Sequence, residues 1–264
     1  MFNPDKVRIR QSFAAASGTY DGAAELQRSV GRALVADLNA EMLTGTMLDL
    51  GCGTGFLTGE LLSTKNQNPP QSVIAVDIAF GMLEATRSKL AAHNNVRYIC
   101  ADAEQLPIAA STVDVVVSNL ALQWCRNLTA VFAELKRTLK PGGQLVFSTF
   151  GPHTLQELKA AWAEVDDYSH VNEFYGVADI EHFLQQAGFR QVRIECDTHL
   201  SKYDSVLALM RELKAIGAQN VIGERNKAVT TQTQLQRMIK TYDLHRLEGM
   251  IPATFECFLI QAQA

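Results

Sequence analysis

A chain of 264 residues with 47% hydrophobic and 20% charged side chains can bury a sizeable core and lacks the composition of a disordered protein. Its formal net charge of −4 argues against broad nucleic-acid binding through a basic surface, and no stretch approaches the ~18 consecutive apolar residues of a membrane span. The 5 cysteines (Cys52, Cys100, Cys125, Cys196 and Cys257) form no C-x-x-C pair, which favours buried free thiols in a reducing, cytoplasmic setting over disulfides or zinc.

In chain order, Val7, Ile9, Phe13 and Ala14 among Lys6, Arg8 and Arg10 predict a short helix that stops at Gly18, just before Tyr20. Leu26, Val30, Ala33, Leu34 and Leu38 at helical spacing predict a longer amphipathic helix over 22–42. Next, the apolar run Met47-Leu48-Asp49-Leu50 breaks into Gly51, Gly53 and Gly55, after which Phe56, Leu57, Leu61 and Leu62 resume an apolar period. That is a strand, a tight turn and a helix. Glycines there let the backbone take positive φ and let a ligand lie against the main chain. The spacing is not that of G-x-G-x-x-G, whose last interval is longer.

A polar loop over 66–71 precedes a second apolar strand over 73–77, which ends in Asp77 about 20 residues past the turn, where a βαβ unit puts the acid that binds a ribose diol. A helix carrying Met82 follows, then a strand over 96–100 and the turn Ala101-Asp102-Ala103-Glu104-Gln105-Leu106-Pro107. The run 113–118 leads into Asn119 and Leu120; a helix over 128–139 then reaches Lys140-Pro141-Gly142-Gly143 and a fifth strand over 144–149. Alternating strand and helix predict a parallel sheet covered on both faces. Beyond it come a helix over 154–165, a polar and aromatic segment over 166–176, a helix over 177–187 and a sixth strand over 191–196. A helix over 203–216 with Arg211 and Lys214, another starting at 231–237 and a final strand over 254–260 complete the chain.

The string Asp49-Leu50-Gly51-Cys52-Gly53-Thr54-Gly55, followed in order by Asp77, the 101–107 turn and the 139–143 turn, resembles the class I S-adenosylmethionine-dependent methyltransferases. The resemblance implies an α/β fold with a doubly wound, seven-stranded, mostly parallel sheet, whose sixth and seventh strands form an antiparallel hairpin. It also implies a division into an N-terminal helical lid (1–42), a core (43–201), a helical substrate cap inserted between the sixth and seventh strands (202–250) and a last core strand (251–264). The implied cofactor is S-adenosyl-L-methionine, leaving as S-adenosyl-L-homocysteine. Asp49 with the backbone of Gly51 and Gly53 would take its amino-acid tail, and Asp77 its ribose. Asp102 and Ala103 would take the adenine, with Met82 packed on the ring. Asn119 and Leu120 would lie beside the reacting methyl, and Tyr20, from the lid, near the sulfonium. Each acid has a bland alternative as a helix cap or a solvated loop end, and Tyr20 as an aromatic packed at a helix end.

The segments 12–20, 118–125 and 233–237, and above all Arg211-Glu212-Leu213-Lys214-Ala215-Ile216-Gly217-Ala218, are similar to the malonyl-acyl carrier protein O-methyltransferases of biotin synthesis. This implies methyl esterification of the free malonyl carboxylate on the phosphopantetheine arm of an acyl carrier protein, with no nucleic acid or membrane as partner. A carboxylate is already a nucleophile near neutral pH, so a cation to hold it matters more than a base. Tyr20, Asn119 and Arg211 are the expected catalytic residues, the Arg211 fork matching a carboxylate. Gln123, Trp124 and Lys214 are the expected further substrate contacts. Arg211 paired on the cap surface and Trp124 serving only the core are the alternatives. Lys202, Arg211, Lys214, Arg225 and Lys227 are candidates for a basic patch that docks an acidic carrier. A methyltransferase of another small acceptor, such as a quinone precursor, and a non-catalytic cofactor-binding subunit are the competing functions; no metal site is expected.

Overall fold

The structure is a computed structural model that describes residues 4–39, 42–63, 69–218 and 230–264. Strand β1 (Thr46–Leu50) is buried at every position but its first, as suits a central strand covered on both faces. It pairs in parallel with β2 (Ser72–Asp77) on one side and β4 (Val113–Asn119) on the other. Outside these lie β3 (Val96–Cys100) and β5 (Leu139–Phe150), also parallel. The last strand, β7 (Ile251–Gln263), inserts antiparallel between β5 and β6 (Arg190–Tyr203). The order β3-β2-β1-β4-β5-β7-β6 is the expected seven-stranded, mostly parallel sheet with an antiparallel hairpin of its sixth and seventh strands.

Strand β6 runs well past the expected 191–196, because β7 offers a register partner all the way to Tyr203↔Ile251. Its polar residues Asp197, Thr198 and Ser201 conceal a strand that only pairing reveals.

The helices wind over both faces. On one side α3 (Glu25–Ala36) and α4 (Phe56–Leu62) bury Leu34, Leu57 and Leu61 against Val115, Val117 and Val146. On the other, α6 (Leu128–Thr138) and α8 (Val177–Gln186) bury Phe132, Leu135, Ile180 and Leu184 with Leu48, Val116 and Phe147. Helix α5 (Phe80–Lys89) flanks β2 and β3. A third cluster joins α7 (Gln156–Ala163) and β7 to α9 (Val206–Ala215) and α10 (Gln232–Tyr242), the two helices that lie between β6 and β7 in the chain, through Trp162, Leu209, Met238, Tyr242 and Phe255.

The N-terminal segment is α1 (Lys6–Ala16), capped by the Asp5 carboxylate on the amides of Val7 and Arg8, then α2 (Tyr20–Ala23). The single helix expected over 22–42 is broken at Ala24, whose φ of −97° and ψ of 40° are not helical, and α3 ends at Ala36. A break at a buried alanine carries no glycine or proline signal, so periodicity alone ran through it.

All 5 cysteines are free thiols, but Cys100 and Cys196 are exposed, correcting the expectation of buried thiols. They sit on β3 and β6, the two edges of the sheet, where a strand position can face solvent. Among the described residues no helix is long and apolar enough to cross a membrane, and no cluster of metal-ligating side chains occurs.

Candidate active site

At the carboxyl end of β1 the chain turns back over β2, with the amides of Gly51 and Cys52 both donating to the Val76 carbonyl at 2.7 and 3.0 Å. Gly51 has a φ of 75°, and a Cβ there would collide with that of Ala121. No other residue type fits. Gly53 (φ 55°) is different: the position a Cβ would take has no atom within 4 Å, so the turn presents bare backbone to open space. That space is a cleft of about 790 Å³. Gly51, Gly53, Asp77, Met82, Asp102 and Ala103 line one wall; Asn119 and Leu120 line another. Lys6, Ile9, Phe13 and Tyr20 from the N-terminal helices close it.

Asp77 receives the amides of Gly53 (2.9 Å) on one oxygen and Ala79 (2.8 Å) on the other. Burial pushes its carboxyl up to about 6, against the pull of those backbone donors. Asp49 does not line the cleft. It is fully buried behind the turn, its Oδ2 accepts from the Thr58 hydroxyl at 2.5 Å, and its Oδ1 has no partner among the described residues. Burial raises its carboxyl to about 7, opposed by the Thr58 hydrogen bond and reinforced by the Asp77 charge. Asp102 reaches the cleft with both oxygens engaged: the Lys6 ammonium holds Oδ2 at 2.6 Å and the Glu104 amide donates to Oδ1 at 3.0 Å. Lys6 also pairs with Glu104 at 2.7 Å, a contact of the N-terminal helix that sequence reading missed because nothing local marks it.

Other bonds tie the N-terminal segment down. Asp21 accepts from Thr54 at 2.6 Å and pairs with Lys89 at 2.7 Å, while Thr19 donates to the Ala215 carbonyl of α9 at 2.8 Å. Phe13 meets Trp124 edge to face at 5.3 Å.

At the end of β4 the backbone kinks: Leu120 has a φ of 49°, unusual for a leucine, and its amide donates to both the carbonyl and the hydroxyl of Ser148. The Asn119 side chain donates to the Gln27 carbonyl and accepts from the Ser148 hydroxyl, both at 2.8 Å. Its amide therefore clamps α3 to the strand ends.

A second cavity of about 700 Å³ adjoins the first and shares Phe13, Tyr20, Leu120 and Trp124 with it. Its polar lining is Gln27, Gln123, Thr154, His170 and Asn172. Gln123 donates to the Leu120 carbonyl at 2.7 Å and accepts from Thr149 at 3.3 Å. Tyr20 stands where the two cavities meet, and burial together with the Asp77 and Asp21 charges raises its phenol far above the usual range, so it stays protonated.

Arg211 and Lys214, expected at the acceptor, are not brought to either cavity; both are exposed on α9, where Arg211 Nε donates to the Leu207 carbonyl one turn back. Leu213 and Ile216 of that helix segment line the second cavity, and a 3.6-residue period puts 211 and 214 on the opposite side. The second cavity is lined by His170. Its ring stacks on Trp162 with centroids 3.8 Å apart and planes within 8°, and its Nε2 lies 2.8 Å from Asp166 Oδ1. Burial works against the Asp166 charge, yet hydrogen bonds from His170 and the Tyr168 amide hold its carboxyl below the usual range. The signal was present as an Asp and a His four residues apart in the 166–176 segment, beside a tryptophan one turn earlier.

Residues 48–147 match the methyltransferase domain family. The chain is 42% identical to the malonyl-acyl-carrier protein O-methyltransferase of Methylococcus capsulatus, over 97% of this chain and 91% of that one. It is 40% identical to the biotin biosynthesis bifunctional protein BioHC of Cellvibrio japonicus, over 97% of this chain and 50% of that one. Among solved structures, the phosphoethanolamine N-methyltransferase 2 of Haemonchus contortus in complex with S-adenosyl-L-methionine superposes with a TM-score of 0.58 at 17% identity, over 95% of this chain and 57% of that one. At that identity the likeness is one of fold.

Proposed function

The chain belongs to the malonyl-acyl-carrier protein O-methyltransferase family, and from that premise we propose that its two adjoining cavities bring the carboxylate of a carrier-bound malonyl thioester to the methyl of S-adenosyl-L-methionine. The enzyme is an S-adenosyl-L-methionine-dependent carboxyl O-methyltransferase of biotin synthesis. One observation carries the division of labour between the cavities. The first is walled by Asp77 and Asp102 with Asp49 buried behind it, whereas the second has no carboxylate among its described lining residues. Acidic walls suit a cationic ligand, and a donor-bearing pocket without a carboxylate suits an anionic acceptor.

The residues of the first cavity fit the cofactor. Asp77 has acceptor capacity left after its two amide bonds, enough for a ribose diol. The open backbone at Gly53 leaves room for the amino-acid tail, and the orphaned Asp49 Oδ1 puts an uncompensated acceptor behind it. Met82, Asp102 and Ala103 supply the adenine wall. Bound there, the cofactor supplies a methyl on a positively charged sulfur, and the sulfur keeps the electron pair when that methyl leaves. Leu120 and Asn119 set the floor where the cavities meet: the kink at Leu120 and the Asn119 clamp hold the opening between them. Phe13, Tyr20 and Trp124 exclude water from that opening, which matters because methyl transfer needs an aligned nucleophile more than an acid or base. The protonated Tyr20 hydroxyl can donate a hydrogen bond to the acceptor carboxylate without giving up its proton to it.

The carrier protein docks over α9 and α10, whose exposed Arg211, Lys214, Arg237 and Lys240 make no ion pair among the described residues. Lys202, also expected in this patch, is paired with Glu248 at 2.7 Å, and Arg225 and Lys227 lie outside the described residues. The work is done in the cytoplasm, where free thiols persist.

The test is incubation of the chain with S-adenosyl-L-methionine and malonyl-carrier protein, read by intact mass. Gain of one methyl on the malonyl arm, absent with acetyl-carrier protein, is expected. A carrier left unmodified while a quinone precursor is methylated would replace the reading. The docking surface adds a second readout: KM for the carrier must rise with ionic strength while that for the cofactor stays level.

A further inference from the structure

A carboxylate entering the second cavity leaves water for a pocket whose walls are mainly Leu, Phe and Trp side chains, and an ion so placed needs a partner. Among the described lining residues only His170 can carry a positive charge. We propose that His170, as an imidazolium, anchors the acceptor carboxylate through Nδ1, and that Asp166 and Trp162 are positioning residues that hold the ring for it. The proposal rests on the second cavity being the acceptor site.

The seat is built for such a ring. Trp162 and Asp166 are one helical turn apart, joined by the Asp166 amide on the Trp162 carbonyl at 3.2 Å, so that they face the same way. The indole lies parallel under the imidazole, and the Asp166 carboxylate meets Nε2. With Nε2 engaged, Nδ1 is the ring nitrogen left to a ligand, and it makes no hydrogen bond among the described residues. A charged ring in this seat is compensated from two sides, by a carboxylate and by an aromatic face. Asn172, buried two residues on and lining the same cavity, adds a neutral polar group beside it.

The arrangement separates substrate from product. Before transfer the malonyl arm ends in an anion that the imidazolium attracts; afterwards it ends in a neutral ester that it does not. His170 thereby favours entry of the acid and release of the ester, and a carrier arm lacking the free carboxylate gains nothing from it.

The experiment compares wild type, His170→Gln and Asp166→Asn in three measurements: KM and kcat for malonyl-carrier protein, affinity for S-adenosyl-L-homocysteine by calorimetry, and binding of the acid and methyl-ester arms to the enzyme loaded with S-adenosyl-L-homocysteine. His170→Gln is expected to raise KM about 10-fold to 100-fold, the range for losing a charged hydrogen bond. It should leave S-adenosyl-L-homocysteine affinity unchanged and abolish the preference for the acid arm. Asp166→Asn should move KM the same way by a smaller factor, which a residue that only packs the loop would not do selectively. An unchanged KM in folded His170→Gln overturns the proposal, as does a wild-type enzyme that binds acid and ester arms equally well, a result that needs no variant. Failure of wild type to methylate malonyl-carrier protein would instead overturn the function reading.

Discussion

The cleft beside Gly51 and the cavity beneath α9 share a wall yet are assembled in opposite ways. The first is a row of strand ends: Gly51 after β1, Asp77 closing β2, Asp102 after β3 and Asn119 closing β4. Each follows its own apolar run, so each position is announced locally. The second gathers Gln27 from α3, Gln123 from the turn after β4, His170 from the segment after α7, Leu213 from α9 and Phe255 from β7. Apart from the four-residue spacing of Asp166 and His170, none of these has a local signature, and only packing puts them together. The difference teaches where a motif can be trusted: a parallel sheet places all its strand ends on one edge whatever the side chains are, whereas helices packed outside the sheet must be folded before their inward faces are known.

The largest expected effect lies in the locally encoded half. Gly51→Ala forces a Cβ onto Ala121 at a positive φ, so unfolding free energy should fall by more than about 2 kcal/mol with loss of cofactor binding. Urea denaturation and calorimetry read both, and a variant as stable as wild type would show that the turn is not held as described. Next, Asp77→Ala should weaken cofactor binding by about 1.5–3 kcal/mol for each charged hydrogen bond lost while leaving the acceptor cavity intact. An unchanged affinity in the folded variant would detach Asp77 from the ribose and blur the contrast between the halves.

A third effect is pH-dependent. The folded chain holds the Asp49 carboxyl at about 7 and Asp77 at about 6, against an ordinary 3.8. Between about pH 4 and about pH 7 the folded state therefore keeps protons that the unfolded chain has released. Stability from these groups is full below that window and is lost as pH rises through it. Cofactor-free wild type should thus lose stability over this range, on the order of 1–3 kcal/mol, and Asp49→Asn should flatten the curve. Parallel urea midpoints for the two proteins across the range would contradict the buried, uncompensated carboxylate. The smallest effect belongs to the exposed face of α9. Arg211→Ala should leave kcat near wild type and stability within about 0.5 kcal/mol, with a KM increase for the carrier that disappears at high salt. A collapse of kcat would return Arg211 to the acceptor site.

What the sequence by itself determined was the strand order's raw material and the strand-end cleft: the glycine spacing, the terminal acid of the second strand, and the alternation that makes a doubly wound sheet. These are short-range statements, each settled by backbone conformation and by the period of apolar residues within one βα unit. Tertiary structure alone decided the second cavity. A helical period shows that Arg211 and Leu213 point apart, but which of those faces meets the pocket depends on α9 packing on α7 and β7, so the arginine was expected inside and the leucine was found there. Likewise His170 became a candidate only when Trp162 and Asp166 closed around it, because an Asp and a His four residues apart in a polar segment need not meet until the chain folds and brings ring, carboxylate and indole together.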